Sequence, residues 1–101
     1  MGALTDLGIA AIRDGVRDGD FTAREVAEAF VTRVENARSL NAFLVETPDH
    51  ALAAADAADK DRAAGALKPL SGVPIGMKDL FCTVGVQAAA LYRYYPTKED
   101  L

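Results

Sequence analysis

Apolar residues in the first third of the chain recur at helical steps. Ile9, Ile12 and Val16 fall three and four residues apart on one face, and Thr5 or Asp6 is placed to cap the segment, although Gly8 and Gly15 weaken it. Asp18-Gly19-Asp20 reads as a turn. Thr22-Ala23-Arg24-Glu25 has the spacing of a capping box, in which hydroxyl and carboxylate each satisfy an orphan backbone N–H. The second helix follows, with Val26, Phe30 and Val34 in one apolar row, Ala27 and Val31 beside it, and Arg24, Glu28, Arg33 and Glu35 on the wet side.

Asn36 to Asn41 carries loop residues, and the apolar run Ala42-Phe43-Leu44-Val45, ended by Thr47-Pro48, predicts a buried strand. Pro48-Asp49 opens an Ala-rich third helix over 50–64 that packs through small side chains and stops at Gly65. After a turn at Pro69-Leu70-Ser71-Gly72, residues Val73 to Phe81 predict a further strand in which Pro74 and Gly76 are unusual. Alternation puts Val73, Ile75, Met77 and Asp79 on one face and Pro74, Gly76, Lys78 and Leu80 on the other. All 3 Tyr lie in Tyr92-Arg93-Tyr94-Tyr95, a pattern suited to a strand pairing with the lysine strand as a hairpin, to a disordered tail, or to a stacking platform for single-stranded nucleic acid. The expected fold class is therefore α/β, with about three helices and two or three strands.

Composition narrows the functional classes. The 101 residues are 50% hydrophobic and 26% charged, enough for one small core. Fifteen Asp plus Glu against 11 Lys plus Arg give a net charge of -4, which disfavours nucleic-acid binding by the chain alone. No apolar run reaches membrane-span length, and the N-terminus lacks the basic and apolar regions of a secretion signal. The single cysteine, Cys82, builds no disulfide framework, so a cytoplasmic location is expected.

Lys78 is the residue with chemical promise. An amine among apolar neighbours loses hydration of its charged form, and its pKa falls toward the range of a general base. The bland reading is a strand-end lysine that snorkels to water and pairs with Asp79. Cys82 and His50 have no motif joining them, so a buried thiol and a surface or capping imidazole are the readings their settings favour. No Cys/His spacing indicates zinc.

The segment Pro69-Leu70-Ser71-Gly72-Val73-Pro74-Ile75-Gly76-Met77-Lys78-Asp79-Leu80-Phe81-Cys82-Thr83 resembles the lysine-bearing stretch of the amidase signature family. It is most similar to the branch that forms the glutaminase component of tRNA-dependent amidotransferases. Leu4-Thr5-Asp6-Leu7, Phe21-Thr22-Ala23-Arg24-Glu25, Leu40-Asn41-Ala42-Phe43 and Ala53-Ala54-Ala55-Asp56 follow in that branch's order. The resemblance divides the chain into residues 1–87, an N-terminal segment of an amidase-signature domain, and 88–101, a divergent tail. It implies a lysine, here Lys78, that deprotonates a serine pair, with ammonia taken from glutamine and passed to misacylated tRNA. Neither Ser39 nor Ser71 matches that pair, whose family positions lie downstream. The resemblance thus implies a truncated chain, inactive alone, with no cofactor of its own. The implied partners are the B and C subunits of the amidotransferase: C is small, and B binds tRNA and uses ATP with magnesium, leaving this chain only indirect contact with tRNA. A lysine strand without its sheet neighbours would also favour self-association into a homo-oligomer.

Overall fold

The computed structural model describes residues 3–43, 45–78 and 92–95. Three helices dominate it: α1 (Ile9–Asp18), α2 (Ala23–Asn36) and α3 (Pro48–Ala63), with single 3₁₀ turns at Leu4–Asp6 and Arg38–Leu40. Strands β1 (Ile75–Lys78) and β2 (Tyr92–Tyr95) pair antiparallel with Ile75 opposite Tyr95 and Lys78 opposite Tyr92. This is the pairing that the tyrosine alternation allowed. Asp79, Leu80 and Phe81 of the expected strand, Cys82, and the expected tail apart from Tyr92–Tyr95 lie outside the described residues.

The capping box is formed as its spacing predicts. Glu25 N–H donates to Thr22 Oγ1 at 3.0 Å, and Thr22 N–H donates to Glu25 Oε1 at 3.1 Å. A third group, invisible in the local pattern, completes the helix start. Asp59 of α3 accepts from Ala23 N–H at 2.8 Å and from Arg24 N–H at 3.1 Å, so one carboxylate satisfies two more orphan donors of α2. Arg24 adds a 2.9 Å ion pair to Asp56 one turn earlier on α3.

This crosslink brings the small face of α3 onto α2. Ala51, Ala55 and Ala58 are buried, as are Ala23, Val26 and Ala27. Ile12 and Val16 of α1 and Val73 close the core, while Leu4, Leu7, Phe21, Phe30 and Leu52 pack at its margin. Gly19 ends α1 in the left-handed region at φ 81°, where the turn requires a residue without Cβ strain. Gly15 has a different purpose: a Cβ there would run into the Phe21 ring, so the glycine lets the aromatic side chain lie directly on α1.

Two expectations are corrected. Thr5 and Asp6 do not cap α1; they lie in the first 3₁₀ turn, where Ala3 N–H donates to Asp6 Oδ2 at 3.2 Å, and α1 begins after Gly8. The strand expected at Ala42–Val45 does not form at residues 42, 43 or 45, and Leu44 lies outside the described residues. An apolar run becomes a strand only if a neighbouring backbone offers hydrogen bonds. Here Arg38 and Glu46 draw the ends of the segment together, leaving a loop with Asn41 left-handed at φ 53°.

Two substitutions test this packing. Asp59→Ala should lower unfolding free energy by about 1–2 kcal/mol, the usual worth of a helix cap, read from denaturant melts. Gly15→Ala should lower the melting temperature although alanine is the better helix former by about 1 kcal/mol; a rise would refute the contact with Phe21.

Candidate functional site

The position of the predicted base is set by the turn before it. Ser71 N–H donates to the Lys68 carbonyl at 3.1 Å, Lys68 N–H donates to Ser71 Oγ at 3.0 Å, and Val73 N–H donates to the Leu70 carbonyl at 3.1 Å. Gly72 follows at φ 85°, and a Cβ there would stand 3.2 Å from Ala23 Cβ and 3.3 Å from Val16 Cγ1. Bare backbone therefore touches both α1 and α2 at this point. Val73 and Met77, which the alternation puts on one face, are buried, and Gly76 on the face of Lys78 is exposed. Lys78 closes β1, opposite Tyr92.

Beside β1 runs an apolar groove of about 350 Å³ lined by Phe30, Val34, Ala37, Phe43, Pro74 and Gly76, with Arg33 at its edge. Phe43 is the residue that the misassigned strand supplied. The Arg38–Glu46 pair holds its loop: Arg38 Nε meets both Glu46 oxygens at 3.2 and 3.0 Å, and Nη2 meets Oε1 at 2.9 Å. Those hydrogen bonds hold the Glu46 carboxyl below the usual carboxylate range and raise the Arg38 guanidinium above its ordinary value. Sequence reasoning missed the pair, since opposite charges eight residues apart match no helical or strand spacing.

The other candidates do not converge on Lys78's strand end as a catalytic set. Ser39 is exposed on the second 3₁₀ turn, Ser71 is buried in the turn before β1, and His50 is exposed in the first turn of α3. Among the described residues no group of three His, Cys, Asp or Glu is placed to hold a metal ion, and no helix is long and apolar enough to cross a membrane.

A protein-family model described as Amidase matches residues 25–100. The A subunit of the glutamyl-tRNA(Gln) amidotransferase of Rhizorhabdus wittichii is 66% identical over 104 aligned residues, covering 99% of this chain and 21% of that relative. The proteins of the same name from Sphingopyxis alaskensis and Zymomonas mobilis are 70% and 61% identical over 90 residues, each covering 89% of this chain and 18% of the relative. The chain spans about a fifth of the length of these curated relatives. No solved structure matches it.

The loop clamp has a pH signature. A depressed carboxyl contributes stability that is present above its unfolded pKa and is lost as pH falls through the lower folded value. NMR titration should therefore find Glu46 ionising below an ordinary glutamate, and Arg38→Gln should return it to the ordinary range. An unchanged Glu46 titration in that variant would disprove the clamp.

Proposed function

We propose, from the premise that this chain belongs to the Amidase family, that it is the lysine-bearing segment of the A subunit of a tRNA-dependent amidotransferase. The carrying observation is identity of 61–70% to three proteins of that name, over a stretch that includes Lys78 and the turn leading into it. In this reading β1 belongs to a larger sheet, giving the complete protein an α/β fold, and it works in the cytoplasm on glutamine.

The chemistry asked of this chain is proton movement. A neutral Lys78 amine accepts a proton through a serine relay as a serine oxygen attacks the glutamine amide carbon, and the same proton returns to the departing ammonia. Both serines come from sequence outside this segment, because Ser39 is exposed on a separate turn and Ser71 is committed to the turn before β1. The chain alone is therefore inert toward glutamine. The B and C subunits are its partners, tRNA contact is indirect, and ATP and magnesium belong to the B subunit.

A second reading rests on the half-buried Phe30, Val34 and Phe43 and on a ladder of only two strands among the described residues. Apolar surface beside strand edges that take no further partner among the described residues favours association, either with the other subunits or between copies. Light scattering over a concentration series separates the two: a stable monomer rules out self-association.

For the enzymatic reading, the chain should capture the B and C subunits and release no ammonia from glutamine by itself. In a longer chain carrying the serine segment, Lys78→Ala should cut glutamine hydrolysis by roughly 10²–10⁴-fold with an unchanged circular dichroism spectrum. Activity retained in that variant would remove Lys78 from the mechanism, and turnover by the 101-residue chain alone, lost in Lys78→Ala, would overturn its inertness.

A further inference from the structure

A second concavity lies between α1 and the turn that precedes β1. It encloses about 230 Å³ and is lined by Arg13, Arg17, Leu67, Lys68, Pro69 and Ser71. Three cations and a hydroxyl line it without a carboxylate, in a chain whose net charge is -4. Residues 13 and 17 stand one helical turn apart, so both guanidinium groups reach the same wall.

The cations are only partly engaged. Arg13 Nε meets Asp14 at 2.9 Å; Arg17 meets Asp14 at 3.0 Å and Asp18 at 3.4 Å. A guanidinium has five N–H donors, more than these contacts use. Lys68 pairs with no carboxylate among the described residues. Ser71 adds a hydroxyl to the same wall. The residue is only 7% exposed, its Oγ accepts from Lys68 N–H, and its own proton reaches no acceptor among the described residues. Cations sharing one wall repel each other, and an oxyanion in the cleft relieves that repulsion.

We infer that this cleft binds the phosphate group of a small organic phosphate, with Arg13, Arg17 and Lys68 pairing its oxygens and the Ser71 hydroxyl donating a further hydrogen bond. Phosphate is favoured over a carboxylate because it offers enough acceptors for three cations and a hydroxyl at once. Leu67 and Pro69 supply an apolar wall for the ester carbon, and the volume exceeds that of a bare anion. Asp14 and Asp18 offset part of the positive charge, so the site depends on several contacts together. Lys78 and the amide chemistry play no part in this inference.

The test is a ¹H–¹⁵N NMR titration of the full 101-residue chain with inorganic phosphate and, separately, with 5′-AMP, at ionic strength held constant with sodium chloride. Saturable shifts are expected at the Arg13 and Arg17 Nε–H and at the Lys68 and Ser71 amides, with 5′-AMP binding more tightly. Arg17→Gln and Lys68→Gln should each weaken binding about fivefold, the scale of one exposed ion pair. Lys68→Gln breaks no ion pair among the described residues, so its effect is not a folding artefact. Tighter binding of inorganic phosphate would overturn the organic ester. Shifts that fail to saturate, that sodium chloride reproduces, or that both variants leave unchanged would overturn the site itself.

Discussion

The carboxylate of Asp59 closing the first turn of α2 is the contact on which the arrangement of the described residues depends. It joins residues more than thirty positions apart and sits where the helix dipole and two unpaired N–H groups favour negative charge. With α3 held there, a face made almost wholly of alanine can pack closely, although methyl groups alone offer little area to drive association. Placement comes from the polar crosslink, and the buried Ala51, Ala55 and Ala58 then benefit from it.

From that joint the geometry passes to the strand. Ala23, whose N–H is held by Asp59, lies against Gly72, and Gly72 sets the direction in which the chain enters β1. The lysine position is thus referred to the α2–α3 contact through one glycine and a hydrogen-bonded turn. On the other side of β1 the apolar groove carries Phe43, held in place by the Arg38–Glu46 pair. The role proposed for Lys78 needs an accurately placed amine, and supports of this kind serve it better than strand propensity. The cationic cleft shares the same turn, since Lys68 and Ser71 both close it and face the concavity. One short segment, residues 67–73, therefore bears on both proposed activities.

The errors and successes of sequence reading follow the range of the interactions. The Thr22–Glu25 box was legible because its partners lie within one turn, α1 and α2 because their apolar steps repeat, and α3 because alanine is the strongest helix former and Pro48 and Gly65 bracket the run. The strand expected at 42–45 failed because strand formation needs a partner edge, and a side-chain pair from outside the run bent it into a loop. Gly15 read as a weakness of α1, yet its missing side chain makes room for the Phe21 ring. The first cap was misplaced because Thr5 and Asp6 suit a 3₁₀ turn as well as a helix start.

By itself the amino-acid order determined the helical segments, the cap of α2, the turn before the lysine strand and the family resemblance, all carried by neighbouring residues or by motif. Only the tertiary structure decided that Asp59 completes the start of α2, that Phe43 lines a groove, and that Arg13, Arg17, Lys68 and Ser71 share one cleft. These depend on through-space encounters between segments far apart in the chain. No local periodicity encodes such meetings, because electrostatic and packing energies depend on distance in the folded molecule and not on separation in sequence.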